Sequence, residues 1–206
     1  MYNNVFCGNK VAAQKKKVLI LGESHYGTTN STQSVIENYW NNYNNRNEKR
    51  DKAYRFFENI VRTFGYVPDK DREAFWNCVY FGNYVEELCG VGDRRAKNAI
   101  FDHRNEYNEH LFRFIRDNKI DMVFCFSRLV FNNLPQAEKP ELWQKSGGGR
   151  SRIEWCTYNR ITIVEETIQL EKPVIIYGLQ HASSYYSWSR FQDGLKKINE
   201  GAIIIE

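Results

Sequence analysis

The sequence predicts an α/β fold, a three-layer α/β/α arrangement with a largely parallel central sheet. Short apolar runs alternate along the chain with longer segments whose apolar residues recur at helical spacing. The runs are continuous rather than interrupted by polar residues, which is typical of parallel strands covered on both faces. They are Val18–Leu21, Val79–Phe81, Met122–Phe126 and Val174–Tyr177. We therefore expect a single α/β domain over residues 1–206.

The segments between these runs have the features of helices. Thr29, Asn30 and Ser31 are N-cap candidates for a first helix, and a second, from about Lys49, ends at Gly65, a typical C-cap residue. The apolar stripe of this second helix predicts core packing rather than a cofactor site.

Further along the chain, Pro68 and a charged turn precede the second strand. A long polar helix is expected over residues 93–119, and a last helix from about Trp188 to Ile198. Residues 153–165 alternate well enough to predict a hairpin or an added edge of the sheet. Pro173 begins the last apolar run.

Composition limits the class of protein. The 206 residues include 29 Lys and Arg against 25 Asp and Glu, a formal charge of +4 that permits a polyanionic partner without demanding one. The five cysteines are dispersed, without the close pairs of a zinc or iron–sulfur site. No apolar run approaches the roughly 20 residues of a membrane span. We expect a cytoplasmic monomer without metal, cofactor or membrane association.

Reactive side chains follow the first strand directly. Gly22 ends the apolar run, and Glu23, Ser24, His25 and Tyr26 come next. Open parallel sheets bind ligands in the crevice beyond the carboxyl ends of their strands. This loop is therefore the first part of the predicted site.

The last apolar run is followed by a similar loop, with His181, Ser183 and Ser184 just after the strand. In a doubly wound sheet the early and late loops can meet although they are far apart in sequence. Asn77 and Asn83 flank the second strand and offer carboxamides, and Asn83 is preferred because Gly82 before it allows close approach.

A glycine-rich segment, SGGGRSR, covers residues 146–152. Its backbone amides can form an anion-binding nest, and Arg150 and Arg152 add positive charge. The segment predicts contacts to phosphate.

The order of these motifs resembles the uracil-DNA glycosylase superfamily over roughly residues 17–195. GESHYG is similar to the family's first motif, Asn77 or Asn83 falls where the family has its base-reading Asn, and MVFCFSRLVFNNL is similar to its next strand and helix. GLQHASSYYSWSRF is similar to its late His-containing loop.

The resemblance implies a DNA partner and a flipped base whose edge is read by the Asn carboxamide, with Tyr26 beside the base. The N-glycosidic bond would break through an oxocarbenium-like transition state, and His181 would stabilise the departing base. Ser183 and Ser184 would contact DNA phosphate.

The chain departs from the family pattern at several positions. Ser24 stands where classical members have the Asp or Asn that orients water, so Glu23 is expected to take that role. His25 and Ala182 replace the usual prolines. A non-catalytic nucleic-acid-binding protein of the same fold is therefore an alternative to a glycosylase acting on uracil or another damaged base.

Esterase-type hydrolysis is the other alternative. Gly-Glu-Ser after a strand is similar to the Gly-Asp-Ser of lipases and esterases, in which an Asp stands three residues before the late His. Gly178 is at that position here. LGESHYG also resembles the Gly-Glu and His signature of erythromycin-esterase-like proteins, whose other motifs are missing from the chain.

Overall fold

The computed structural model describes residues 4–26, 31–42, 52–89, 96–137, 143–146, 152–183, 186–198 and 202–205. The strands are β1 (Phe6–Cys7), β2 (Val18–Gly22), β3 (His25–Tyr26), β4 (Tyr80–Asn83), β5 (Leu88–Cys89), β6 (Met122–Cys125), β7 (Trp143–Ser146), β8 (Ile153–Ile163) and β9 (Glu166–Gly178). The helices are α1 (Thr32–Asn42), α2 (Lys52–Thr63), α3 (Pro68–Asn77), α4 (Ala96–Asp117), α5 (Arg128–Phe131) and α6 (Trp188–Ile198).

The main sheet has seven strands in the order β1-β4-β2-β6-β9-β8-β7. The four central strands, β4, β2, β6 and β9, are parallel to one another, and the outer pairings are antiparallel. The α/β class is thus confirmed. Strand β2 lies between β4 and β6, and the chain forms first β4 on one side and then β6 on the other. Open α/β sheets bind ligands at such a change of direction, beyond the carboxyl ends of the strands.

Two hydrophobic clusters pack against the sheet. Val18 and Ile20 belong to one cluster and Leu19 and Leu21 to the other, because successive side chains of a strand point to opposite faces. Helices α1, α2, α3 and α6 supply residues to the first cluster, and α4 and α5 supply residues to the second. Burial on both faces explains why β2 is continuously apolar.

The expectation of a charged turn after Pro68 is wrong, because this proline begins helix α3. Proline suits the first helical position, since its fixed φ is helical and the amide hydrogen that it lacks would have no partner there. Asp69 and Asp71 lie in the first turn, and Asp71 Oδ2 accepts a hydrogen bond from Val67 N at 2.8 Å. Both aspartates favour the positive end of the helix dipole.

Residues 153–165 form neither the hairpin of their own nor the edge that the alternating pattern predicted. Ile153–Ile163 is one strand, β8, between β7 and β9, and it pairs with β9, which begins at Glu166, well before Pro173. The pairing changes register between Tyr158 and Arg160, opposite the segment that contains Pro173. Proline has no amide hydrogen for a ladder, so an irregularity of this kind lets it stand inside a long strand.

None of the helices in the described ranges combines the length and the hydropathy that crossing a bilayer requires.

Candidate functional site

The parallel central strands all end on the same side, the carboxyl end of the sheet, and three polar loops begin there. Gly22 pairs in register with Asn83 of β4, and Cys125 at the end of β6 pairs with Gly178 of β9. Glu23 follows β2 directly. Loops from distant parts of the sequence therefore begin side by side, and the contacts below join them.

Glu23 is held by a hydroxyl from the loop after β6. Ser127 Oγ donates to Glu23 Oε2 at 2.6 Å, and Ser127 is buried. The backbone of Glu23 is also tied to its neighbour, because Val85 N donates to the Glu23 carbonyl oxygen at 2.9 Å. Glu23 is thus anchored through both its main chain and its side chain.

His181 is held by Ser183 in the loop after β9. The Ser183 amide donates to His181 Nδ1 at 3.4 Å, and Ser183 Oγ lies 2.9 Å from the same nitrogen. An amide can only donate, so Nδ1 acts as an acceptor and the proton of the neutral ring is assigned to Nε2. The hydroxyl of Ser183, which the sequence analysis assigned to DNA phosphate, contacts His181.

Burial lowers the pKa of His181 below its ordinary value, and the nearby Glu23 carboxylate opposes this shift. The electrostatic effect of Glu23 agrees with the geometry, in which Phe56 lies against both Gly22 and His181. At neutral pH the neutral, Nε2-protonated imidazole is favoured, which is a hydrogen-bond donor without a full charge.

Helix α2 supports the late loop. The rings of Phe56 and His181 lie 5.0 Å apart between centroids, and Asn59 Nδ2 donates to the Ala182 carbonyl oxygen at 2.7 Å. Phe56 and Asn59 are three positions apart and therefore share a face of the helix. The apolar stripe of α2 was predicted to pack in the core, and the contact of Asn59, which follows Glu58 in the sequence, adds a second role that the spacing did not indicate.

Asn83 lies against Gly22. A Cβ atom on Gly22 would be 2.1 Å from Asn83 Oδ1, so only glycine allows the carboxamide to approach the backbone here. Asn83 is buried, and Phe56 Cζ is 3.6 Å from the same position. Close approach thus depends on Gly22, which the sequence did not indicate.

Ser24 and His25 of the early loop each have an enclosed polar atom. Ser24 Oγ and His25 Nε2 are buried and have no hydrogen-bond partner among the described residues. Burial lowers the pKa of His25 to about 4. His25 and Tyr26 form β3, which pairs with β5, and for Tyr26 the structure describes the backbone.

Asn77 does not lie at the carboxyl end of the sheet. It ends α3, before β4 begins, whereas Asn83 ends β4. The Asn77 carbonyl oxygen accepts from Lys10 N at 2.8 Å, and its Oδ1 lies 3.5 Å from Asn9 N. Asn77 thus holds residues near the start of the chain at the opposite, amino end of the sheet.

Arg152 belongs to an ion-pair network. Its Nη2 lies 3.2 Å from Glu154 Oε1, and Arg128 Nη1 lies 2.7 Å from Glu154 Oε2. The Arg152 Nε is buried and has no partner in the described part of the chain. Two guanidinium groups thus share one carboxylate and leave a net positive charge beside β9, where Glu154 pairs with Gly178.

Arg150 and Ser184, which the sequence analysis assigned to DNA contacts, lie outside the described residues. Within the described ranges no three His, Cys, Asp or Glu side chains are grouped so that they could hold a metal ion.

The carboxyl end of the sheet thus combines four chemical groups. They are the Glu23 carboxylate, the neutral imidazole of His181, the Asn83 carboxamide and the aromatic ring of Phe56. A carboxylate can orient or deprotonate water, and the imidazole can stabilise a developing negative charge. Ser127 was not predicted, although it follows an apolar run as Glu23 does, and that position was the signal that could have found it.

Comparison with known proteins assigns no family to the chain, because no family model matches its sequence and no curated protein is similar to it.

Proposed function

We propose that the protein is a DNA glycosylase-like hydrolase that binds a flipped base, uracil or another damaged base, and hydrolyses its N-glycosidic bond. The observation that carries the proposal is the position of Phe56, whose ring lies 5.0 Å from the His181 ring and whose Cζ lies 3.6 Å from a Cβ position on Gly22, directly before Glu23. Glu23 and His181 come from opposite halves of the chain and lie on the two sides of this ring, beyond the ends of β2 and β9. A partly buried carboxylate near a neutral imidazole provides the two functions that such a hydrolysis needs.

In this mechanism Glu23 orients the attacking water and accepts its proton as the oxygen bonds to C1′ of the sugar. The bond from C1′ to the base breaks, and its electron pair leaves with the base. His181 Nε2–H donates a hydrogen bond to the anionic oxygen of the departing base. The base then takes up a proton from solvent, so the products are the free base and an abasic site.

The side chains at the carboxyl end of the sheet suit a flat, polar and uncharged ligand. The Asn83 carboxamide offers a donor and an acceptor to the edge of a base, and Phe56 offers a ring between Gly22 and His181. Tyr26 is proposed to lie beside the base. Arg152, with Arg150 and Ser184, is proposed to contact DNA phosphates. The hydroxyl proton of Ser183, which was expected to contact phosphate as well, is donated to His181 Nδ1.

We also propose that the fold is the three-layer, uracil-DNA glycosylase-like arrangement that the resemblance implies. The helices found in both hydrophobic clusters support it. So does the origin of Glu23, Ser127 and His181, which come from the segments that carry the resemblance, GESHYG, MVFCFSRLVFNNL and GLQHASSYYSWSRF.

A single-turnover assay tests the activity. Oligonucleotides containing uracil, hypoxanthine or an abasic site, each single- and double-stranded, are incubated with enzyme in excess beside a panel of simple esters. We expect base release from at least one of the base-containing substrates. Binding without release would leave the non-catalytic alternative, in which Glu23 and His181 are structural hydrogen-bonding residues.

The esterase alternative is tested by Ser24→Ala. A serine nucleophile needs a hydrogen bond to its general base, whereas Ser24 Oγ is buried without a partner among the described residues, and Ser183 contacts His181. We expect a mild effect of Ser24→Ala on base release. Ester hydrolysis that disappears in this variant would overturn the glycosylase assignment.

A further inference from the structure

The hydroxyl of Ser127 joins Glu23 to helix α5. Ser127 has extended backbone angles and is the N-cap of α5, where its Oγ accepts from Val130 N at 3.2 Å. The same oxygen lies 2.6 Å from Glu23 Oε2. One buried hydroxyl therefore has two partners.

These partners determine the direction of each hydrogen bond. The Val130 amide can only donate, so Ser127 Oγ must accept there, and its single hydroxyl proton remains for the Glu23 carboxylate. A separation of 2.6 Å is within the range of charge-assisted hydrogen bonds, which are stronger than neutral ones. The cap and the carboxylate thus do not compete for the hydroxyl.

The backbone around Ser127 is tied to the strands on both sides. Phe126 N donates to the Leu21 carbonyl oxygen at 2.8 Å, and Leu179 N donates to the Cys125 carbonyl oxygen at 2.8 Å. The first bond links the residue before Ser127 to β2, and the second links β6 to the start of the His181 loop. Ser127 is thus positioned relative to both loops of the site.

We infer that Ser127 is a positioning residue, which holds the Glu23 carboxylate in the place from which it acts on His181 and on the attacking water. Its effect on catalysis rests on the proposed function, but its effect on His181 does not. Among the described residues, Glu23 is the charged group that changes the pKa of His181. Phe56 and Ser183, which contact His181, are uncharged.

The first test needs no substrate. The pKa of His181 is measured by NMR titration of its ring in the wild type, Ser127→Ala, Glu23→Gln and the double variant. Because the Glu23 carboxylate raises the pKa of His181, we expect Ser127→Ala to lower it by releasing that carboxylate. In the Glu23→Gln background Ser127→Ala should change nothing further, since coupled residues are not additive.

Two variants control for the lost helix cap. Ser127→Thr keeps both hydrogen bonds and should restore the pKa of His181. Ser31→Ala removes a comparable cap, because Ser31 Oγ accepts from Ser34 N at 3.2 Å at the start of α1. It should lower thermal stability without changing the titration of His181. An unchanged pKa in a folded Ser127→Ala variant, or a change that persists beside Glu23→Gln, would overturn the inference.

The second test is kinetic. Displacing a catalytic group by about 1 Å can cost about 100-fold in rate, so we expect Ser127→Ala to lower kcat by about 10- to 100-fold with KM nearly unchanged. If the wild type releases no base, the proposed function fails while the titration still decides the role of Ser127. If Glu23→Gln abolishes release and Ser127→Ala alters neither rate nor titration, the function stands and the inference fails.

Discussion

The early and late loops each carry a histidine, and the two imidazoles are in different environments. His25 lies in β3, is 6% exposed, and its Nε2 has no partner within the described part of the chain. Burial alone lowers its pKa to about 4. His181 is less completely buried, is held by Ser183, and has a carboxylate nearby that opposes the effect of burial.

This difference separates a structural imidazole from one that can take part in chemistry. Burial without a charged partner keeps His25 neutral over the whole physiological range. A nearby carboxylate keeps the protonation of His181 adjustable, and Ser183 determines which nitrogen carries the proton. Proximity of both histidines to strand ends in the sequence does not distinguish them, whereas their partners do.

The largest effect is expected at Glu23, whose carboxylate acts on the pKa of His181 but not on that of His25. Glu23→Gln should slow single-turnover base release by about 100- to 10,000-fold, the range for a general base, because water is no longer oriented and deprotonated. Binding of an uncleavable duplex should stay near normal. Glu58→Gln removes a different carboxylate, one that is buried and pairs with Arg62 at 3.8 Å, and serves as the control. Equal losses in both variants would point to a folding defect.

The second largest effect on base release is expected for His181. His181→Ala should slow base release by about 100- to 1,000-fold, as expected for loss of one preorganised donor. His103→Ala, at an exposed position on α4, is the matched control and should keep the wild-type rate. A His181→Ala variant that is folded and fully active would remove the late loop from the chemistry.

The early imidazole should instead affect stability in acid. The folded protein keeps His25 neutral down to about pH 4, whereas the unfolded chain takes up a proton near the ordinary value of 6.5. Its contribution is therefore complete above pH 6.5 and is lost as the pH falls towards 4, a change on the order of 3 kcal/mol. His25→Gln should flatten the measured unfolding free energy over this window.

His181→Gln provides the comparison, and we expect it to flatten the same curve less, because Glu23 opposes the shift there. A wild-type protein whose unfolding free energy does not fall between pH 6.5 and 4 would contradict this account of His25.

The smallest effect concerns DNA binding at the late side of the site. Arg152→Ala should flatten the slope of log affinity against log salt by about one unit, because one phosphate contact is lost. Arg113→Ala is the control, since Arg113 pairs with Glu166 at 2.6 Å at the other end of β9. An unchanged slope in Arg152→Ala, measured by titration of a fluorescent oligonucleotide, would remove Arg152 from the interface.

Much of the fold could be predicted from local pattern. The C-cap at Gly65 was predicted, and Gly65 has a φ of 90°, which favours glycine. The last helix was predicted over the residues that α6 occupies. Pro68 was misinterpreted because proline marks both turns and first helical positions, and the acids that follow it suit either. Such ambiguities are local and are resolved by packing.

Sequence alone determined the four central strands, most of the helices and the chemical types gathered behind Gly22 and Gly178, since periodicity and turn residues act over a few positions. The short strands β1, β3, β5 and β7 were not predicted. Only the tertiary structure decided which side chains meet. The bond from Ser127 to Glu23, the fit of Asn83 against Gly22 and the exclusion of Asn77 all depend on strand order and register. Contacts between residues far apart in the chain arise when the sheet assembles, and no spacing within the sequence encodes them.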